Sequence, residues 1–261
     1  MPKAITRPAV GILAAALLLP WASTAAQAAP AQYRQLDDAG LVGVLPTAAE
    51  APRWLGGTAP TQQGEARVAT PTQGIAICSV GEGSLQDPDD ETDIRGGARA
   101  ERYASRIIDY GRYRPVGWSQ VIFRIFQFPS AVAAEDAWAQ LLVSAEKCTG
   151  TWTLPYPDPV NDTFNGTQAI QQTVRPGSAA FGSRSLIRTS TALGTRTGAA
   201  SPDRTGSAIS EWRRVGNVIY EVRFGTAVQG EVPTAVSPSD RLTVNALSAL
   251  IGERYLSVTA R

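Results

Sequence analysis

The run from Gly117 to Phe128 most restricts the folds that this chain can adopt. Its apolar side chains fall on both faces of an extended backbone, one set being Val121, Phe123 and Ile125 and the other Trp118, Ile122, Phe126 and Phe128. Successive side chains of a strand point to opposite sides of the sheet, so a strand that is apolar on both sides must be covered on both. The run therefore predicts a central strand between two layers.

Two helices are predicted, one directly after this strand and one near the end of the chain. Ser130 is an N-cap candidate for the first, whose apolar stripe runs from Trp138 to Cys148 at helical spacing. Ser237-Pro238 opens the second, since a serine N-cap followed by proline at the first helical position is a common helix start. Apolar residues from Val244 to Ile251 form its stripe.

Further strands are indicated by shorter apolar runs. They cover Tyr103–Tyr110, Thr167–Val174, Ser183–Thr191, a hairpin over Ala208–Phe224 and a short segment, Ile75–Val80, around Cys78. Gly216-Asn217 is a two-residue turn of the primed type that joins hairpin strands. The Gly-, Ser- and Thr-rich stretch Ala192–Gly206 and the Pro- and Thr-rich stretch after Cys148 are expected to be loops. This order predicts an α+β fold, an antiparallel β-sheet flanked by two amphipathic helices.

The first 28 residues have the pattern of a secretory signal peptide. Lys3 and Arg7 precede an uncharged apolar run over Ala9–Leu19, and small residues provide a cleavage site near Ala28-Ala29. The apolar run has about 11 residues, whereas a membrane-spanning helix needs roughly 20. We therefore expect a secreted, extracellular protein without a membrane span.

The chain after the leader divides into two predicted parts. Residues 29–74 form a flexible or irregular N-terminal arm, with one helical or turn segment over Asp38–Leu45 and little apolar content elsewhere. Residues 75–261 hold the strand and helix signals and form the α+β domain. The whole sequence has 24 basic and 23 acidic side chains. A balance this close to neutral argues against nucleic acid as a partner.

The chain contains two cysteines, Cys78 and Cys148. In an exported protein they are expected to form one disulfide, which would join the final turn of the first helix to the segment around Cys78. Closing a loop of ~70 residues stabilises a fold by about 4 kcal/mol in the chain-entropy model. Two buried free thiols are the alternative.

Catalytic and metal-binding chemistry is restricted by the absence of histidine from the sequence. Ser-His-Asp and Cys-His mechanisms, and the commonest zinc ligand, are thereby excluded. Ser144–Lys147 matches the S-x-x-K spacing of penicillin-recognising enzymes, but it is better explained as the end of an amphipathic helix. The acidic run Asp87–Asp93 is better explained as a solvated loop than as a calcium site. We predict no catalytic residue, no metal and no cofactor.

Several segments together resemble a known family. They are Val121–Ser130, the helix with Trp138 that ends at Lys147-Cys148, the hairpin Arg214–Val222 and the terminal amphipathic helix. This set is similar to the PknH-like extracellular sensor domain family of actinobacteria, over roughly Ile75 to Tyr255. The resemblance implies an antiparallel sheet with flanking helices, a cleft for an undefined ligand and no catalysis, here as a stand-alone secreted form. The chain departs from the family in having cysteines for only one disulfide.

The hairpin contains the candidate ligand contacts. Across its two-residue turn Trp212 opposes Glu221, Arg214 opposes Ile219 and Arg213 opposes Tyr220. Our hypothesis is that Trp212, Arg214 and Glu221 line a cleft, because binding pockets combine aromatic walls with a few polar groups. The alternative is an edge hairpin with exposed charge.

The sequence thus predicts a secreted, non-catalytic, sensor-like or ligand-binding domain of the bacterial envelope or exterior. Its ligand would be a small molecule, a glycan, a lipid or an envelope protein. One alternative is a secreted hydrolase that uses paired carboxylates. Another is an envelope protein–protein interaction module, which would need a large exposed apolar patch.

Overall fold

A computed structural model describes residues 33–51, 60, 62–71, 77, 99–110, 117–146, 148–158, 163–177, 184–198, 204–229 and 237–259. Within these ranges there are three helices, α1 (Asp38–Val44), α2 (Ala131–Glu146) and α3 (Pro238–Thr259). The same ranges contain nine strands: β1 (Gln62–Gln63), β2 (Arg67–Ala69), β3 (Arg102–Asp109), β4 (Gly117–Gln127), β5 (Gly150–Asp158), β6 (Thr163–Pro176), β7 (Arg184–Arg196), β8 (Arg204–Val215) and β9 (Val218–Gln229).

All nine strands belong to one antiparallel sheet in the order β1-β3-β4-β9-β8-β7-β6-β5, with β2 pairing with β3 beside β1. From β5 to β9 each strand pairs with the next in the chain, whereas β4 joins the sheet beside β9. This architecture confirms the predicted α+β class.

The two long helices cover opposite faces of the sheet. The α2 face carries Phe126, Trp212 and Ile219, which form one buried cluster with Trp138 of α2. The α3 face carries alternate residues of the same strands, and these form a second cluster with α1 and α3. Burying a large apolar side chain stabilises a fold by roughly 1.5–3 kcal/mol. The prediction that β4 is covered on both faces is confirmed, since all described side chains of 121–127 are buried.

Both long helices begin as their capping residues predict. Ser130 Oγ accepts a hydrogen bond from the main-chain N of Ala133 at 3.1 Å. Ser237 Oγ accepts one from the main-chain N of Asp240 at 3.1 Å and donates to the Asp240 carboxylate at 2.7 Å. Each cap satisfies a main-chain donor that has no partner within its own helix.

The hairpin β8–β9 has the predicted register, with Trp212 opposite Glu221 and Arg213 opposite Tyr220. Gly216 has φ +56°, the left-handed conformation that such a turn needs and that glycine adopts without strain. The alternative of an edge hairpin is wrong, because β4 pairs with β9 and β7 pairs with β8. The charged residues of the hairpin therefore lie at the centre of the sheet.

Two segments expected to be loops are partly strands. The Pro- and Thr-rich segment after Cys148 contains β5, which stands at one end of the strand order and tolerates Pro155 and Pro157 because proline is compatible with an edge strand. The stretch Ala192–Gly206 includes the end of β7 and the start of β8, where Ala192 pairs with Gly206. Small side chains weaken a strand signal without preventing the ladder hydrogen bonds.

Part of the predicted N-terminal arm is packed structure. Its helical segment forms α1, capped by Asp37, whose carboxylate accepts a hydrogen bond from the main-chain N of Gly40 at 2.8 Å. Leu36, Leu41 and Val44 are buried in the α3-face cluster, and β1 and β2 pair with β3. These few apolar residues suffice to hold the segment, although the surrounding composition is that of a loop.

Several predictions lie outside the described residues. These are the leader, its cleavage site, the predicted strand segment Ile75–Val80 apart from Ile77, the acidic run Asp87–Asp93, Lys147 and Cys78. Ile77 is described, and it is fully buried in the α2-face cluster together with Cys148.

Candidate functional site

Three charged side chains meet on the α2 face, where they form what we term the charged cluster: Arg124, Arg188 and Glu221. Arg124 Nη1 lies 2.9 Å from Glu221 Oε2, and Arg188 Nη2 lies 3.7 Å from Glu221 Oε1. The side chains of Arg188 and Glu221 are 2% and 0% exposed. Two guanidinium groups therefore share one carboxylate in a buried position.

Strand register brings this cluster together from distant parts of the chain. Arg124 of β4 is directly opposite Glu221 of β9, which is opposite Trp212 of β8. Arg188 of β7 pairs with Ser210 of β8, one step along the same face. Arg188 also donates to Ser210 Oγ at 3.0 Å and to the main-chain O of Ile77 at 2.6 Å. The cluster thus links the sheet to Ile77, the residue before Cys78.

The three predicted ligand contacts share this face but differ in exposure. Trp212 is 1% exposed and stacks on Phe126, with ring centroids 6.4 Å apart. Glu221 is fully buried in the charged cluster. Arg214 is partly exposed, and its Nη2 lies 2.5 Å from Glu135 Oε2 of α2. The structure therefore places Trp212 beside Glu221, while Arg214 fastens α2 to the sheet.

A concave pocket of about 260 Å³, which we term the sheet hollow, opens on the α2 face. Its lining consists of Gln120, Ile122, Gln168, Ser190, Ala192, Thr205, Gly206, Ser207, Ala208, Arg223, Gly225 and Thr226. None of the three predicted contacts is in this set. Glu221 lies two residues from Arg223 on the same face of β9, so the charged cluster borders the hollow.

Small residues in register create the sheet hollow. Gly225 of β9 pairs with Ala208 of β8, which pairs with Ser190 of β7, while Gly206 pairs with Ala192 in the adjacent row. Larger side chains at these positions would cover the main chain, as they do further along the same strands. By strand alternation Thr205, Ser207 and Thr226 point to the α3 face, so they contribute main chain to the hollow.

The polar groups in the sheet hollow suit a neutral or anionic ligand. Gln120 and Gln168 offer amide donors and acceptors, Ser190 offers a hydroxyl, and Arg223 offers a guanidinium. Among the described residues that line it there is no carboxylate. The sequence did not predict this site, because the site is formed by small residues and a stretch of small residues in a sequence is typical of a loop.

A second depression, of about 210 Å³, lies on the α3 face near the start of α3. It is lined mainly by side chains of β6 and β7 together with Arg241. Thr173 and Thr189 within it hydrogen bond to each other at 2.6 Å. Its side-chain hydroxyls are thus partly engaged already.

A buried ion pair lies on the α3 face. Arg213 Nη2 is 2.7 Å from Glu211 Oε1, and Asn245 of α3 donates to the same oxygen at 3.3 Å. Burial raises the pKa of Glu211, while Arg213 and Asn245 act in the opposite direction. The carboxylate is held between β8 and α3, which suits a structural role better than proton transfer.

Within the described ranges, histidine, cysteine and carboxylate side chains do not gather in threes that could bind a metal ion. The helices described are too short or too polar to cross a bilayer.

No protein-family model matches the chain, and no curated protein matches it in sequence. Its fold is similar to that in the crystal structure of the extracellular domain of PknH from Mycobacterium tuberculosis, with a TM-score of 0.51 and 12% sequence identity. The similarity covers 86% of this chain and 98% of that chain. At such low identity the likeness concerns the fold alone.

Proposed function

We propose that this chain is an exported, sensor-like domain that recognises a ligand and catalyses no reaction. The leader pattern of residues 1–28 supports export. The fold it shares with the extracellular domain of PknH supports a sensor-like role and membership of the PknH-like family. The actinobacterial origin, the envelope or exterior location and the absence of a catalytic residue are parts of the same proposal.

The sheet hollow is the observation that carries this proposal. It is concave, it opens on the α2 face of the sheet, and it combines apolar surface with two amides, a hydroxyl and one guanidinium. A few convergent polar groups in a mainly preformed cavity are typical of recognition sites. The small residues of its floor lie in a hydrogen-bonded sheet, so the cavity needs no rearrangement to exist.

The ligand role predicted for Trp212, Arg214 and Glu221 remains a proposal. Glu221 lies two residues from Arg223, which lines the sheet hollow, whereas Trp212 and Arg214 lie towards the start of α2. These residues would respond to a ligand through the packing of α2 on the sheet, since Arg214 contacts Glu135 of that helix.

No specific observation favours either alternative function. A paired-carboxylate hydrolase needs two acids facing one cleft. Among the described residues, no Asp or Glu lines either of the two depressions. An interaction module needs a large apolar patch, whereas the exposed large apolar side chains that the structure describes are divided among β2, α2 and α3.

A disulfide between Cys78 and Cys148 is also part of the proposal. Cys148 is fully buried, and Ile77, next to Cys78 in the chain, is buried in the same cluster. The main-chain O of Ile77 is held by Arg188. This placement of the neighbouring residue supports the pairing.

The test compares small molecules that co-purify with the native chain and with Gly225→Val. A Cβ at position 225 would meet its nearest neighbour, Ala208 Cβ, at 3.8 Å, so the position has room for a Cβ, and the methyl groups of valine would reduce the volume of the hollow. Thr191→Val, on the α3 face, is the matched control. Mass spectrometry should find a compound retained by the wild type and by the control but lost from Gly225→Val. Equal retention by all three, or none by any, would contradict the proposed function.

A further inference from the structure

We infer that the sheet hollow binds an uncharged, linear oligosaccharide that lies obliquely across the strands. This inference rests on the proposed function and adds the shape and the chemical class of the ligand. It is carried by the length of the hollow, by its floor of small residues and by the neutral hydrogen-bonding side chains at its two ends.

The sheet hollow is long in one direction. Its lining residues come from five neighbouring strands, in the order β4, β9, β8, β7 and β6. Neighbouring strands are about 4.8 Å apart, so β4 and β6, four spacings from each other, are separated by about 19 Å. A single sugar ring is shorter than this span, whereas a chain of several rings can cover it.

The hollow also crosses the strands at an angle. The row of paired residues that starts at Gln120 of β4 ends at Gln172 of β6. The β6 residue that lines the hollow is instead Gln168, four residues along that strand, which is about 13 Å. A ligand that contacts both Gln120 and Gln168 must therefore be extended.

The volume of the hollow indicates a ligand that lies along the surface. Small-molecule sites generally measure roughly 300–1,000 Å³, whereas the hollow measures about 260 Å³ and spreads over five strands. A cavity of this volume and length is shallow. The ligand therefore keeps one side in solvent, and its ends can continue beyond the hollow, as those of a glycan chain do.

The floor of the hollow favours a sugar chain over a peptide. Gly225, Gly206, Ala208 and Ala192 supply the floor, and they belong to the paired strands β7, β8 and β9. Their main-chain groups point along the sheet towards the neighbouring strands, where they form the ladder hydrogen bonds. The floor thus offers C–H surface for a sugar ring, whereas an extended peptide is recognised through main-chain hydrogen bonds at a sheet edge.

The amide side chains at the ends of the hollow match sugar hydroxyls. Gln120 and Gln168 are partly exposed. Gln172, on the same face of β6, differs, since it is 1% exposed and donates to the main-chain O of Cys148 at 2.8 Å. An amide both donates and accepts, and so does the hydroxyl of Ser190, which lies between the two ends. A sugar hydroxyl has the same two-way capacity.

The charges in the hollow give no preference for an ionic ligand. Arg223 is the one charged residue among the described residues that line it, and Arg223 has a further interaction within the protein. The described lining contains no carboxylate that would attract a cation. The two amides and the hydroxyl therefore select the ligand, which favours an uncharged one.

The experiment titrates the full, ¹⁵N-labelled chain with four probes: cellotriose, maltotriose, D-glucose and N-acetyl-trialanine amide. Amide resonances of residues in the hollow should shift with at least one trisaccharide. Its binding should be at least about 10-fold tighter than that of glucose, because contact with both ends adds about two neutral hydrogen bonds. The two trisaccharides distinguish an extended chain from a curved one, and the peptide should bind more weakly than the preferred trisaccharide.

Variants test the two ends separately. Gln120→Met and Gln168→Met keep the length of the side chain and remove its hydrogen bonds, so each should weaken binding of the preferred trisaccharide by about 5-fold. Gln171→Met is the matched control, because Gln171 lies on the α3 face of β6 beside Thr191. It should leave binding unchanged. The ¹⁵N spectra of the variants report whether each retains the fold.

The inference is overturned if glucose or the peptide binds as tightly as both trisaccharides. It is also overturned if Gln120→Met and Gln168→Met weaken binding no more than Gln171→Met, or if no probe shifts the resonances of the hollow. If in any of these events a co-purified compound is still lost from Gly225→Val, the ligand class is wrong but the proposed function stands.

Discussion

Arg124 and Glu221 face each other across β4 and β9, with Arg124 Nη1 2.9 Å from Glu221 Oε2 and both side chains almost fully buried. Removing one member of a buried pair is costly, because the other charge loses its partner without regaining water. Glu221→Gln leaves two guanidiniums, those of Arg124 and Arg188, without their carboxylate. We expect it to lower the free energy of unfolding by about 3–5 kcal/mol in urea titration.

The control for that prediction is Glu135→Gln. Glu135 also meets two arginines, Arg184 and Arg214, but its side chain is 42% exposed. Exposed ion pairs contribute little, so the expected loss is within about 1 kcal/mol. Equal effects of the two substitutions would show that burial does not govern the strength of these pairs.

Glu50 should make stability depend on pH in the acid range. Hydrogen bonds from Arg254 and Thr47 lower its pKa from 4.5 to about 2. A depressed acid pKa stabilises the fold above the unfolded pKa, and the contribution disappears as pH falls from about 4.5 to about 2. Because the Glu50 side chain is 39% exposed, we expect only about 0.5–1 kcal/mol at neutral pH.

The measurement compares wild type and Glu50→Gln by urea unfolding at several pH values. The wild type should be more stable at pH 7, and the difference should vanish near pH 2. A difference that is constant from pH 7 to pH 2 would show that the Glu50 charge is not its source.

Two glycines on the hairpin should respond differently to alanine. Gly216 has φ +56°, and a Cβ there would meet the Tyr33 ring at 2.7 Å. Gly225 has room for a Cβ, with its nearest neighbour at 3.8 Å. Gly216→Ala should therefore destabilise the fold by more than about 1 kcal/mol, whereas Gly225→Ala should be neutral or stabilise it by up to about 1 kcal/mol. Thermal unfolding of both variants tests this contrast, and it fails if their melting temperatures change equally.

Reduction of the proposed disulfide should weaken the fold. In the chain-entropy model, closing a loop of ~70 residues stabilises the fold by about 4 kcal/mol. Protein that has been unfolded, reduced and refolded should therefore have a clearly lower melting temperature than untreated protein. Iodoacetamide labelling of the denatured, non-reduced protein checks the premise. Two labelled thiols would refute the pairing of Cys78 with Cys148.

Local sequence signals were sufficient to predict the strands at the core of the sheet and both long helices. Alternation identified β4, and the Gly216-Asn217 turn determined the register of β8 and β9, because a two-residue turn leaves one way to pair the strands. The caps at Ser130 and Ser237 marked where the helices begin. Each of these features is encoded within a few neighbouring residues.

The remaining features depend on contacts between distant residues. Glu221 was recognised beside Trp212, but its partners Arg124 and Arg188 come from strands that no local pattern assigns to its neighbourhood. The sheet hollow arises only when small residues of three strands come into register. Strand β5, which contains proline, and strands β1 and β2, which have only two and three residues, also resemble loops until a partner strand is placed beside them.

The meeting of the first and last described segments has a practical consequence. The main-chain N of Arg34 donates to the main-chain O of Thr259 at 3.3 Å, and the Tyr33 and Tyr255 rings stack near Gly216. Gly206 and Gly225 lie nine or ten residues away along β8 and β9, which corresponds to about 30 Å. A fluorescent reporter or surface tether attached to either segment would therefore lie at the Gly216 end of β8 and β9 and leave the sheet hollow accessible to solutes. A circular permutant that joins the two segments would need only a short linker.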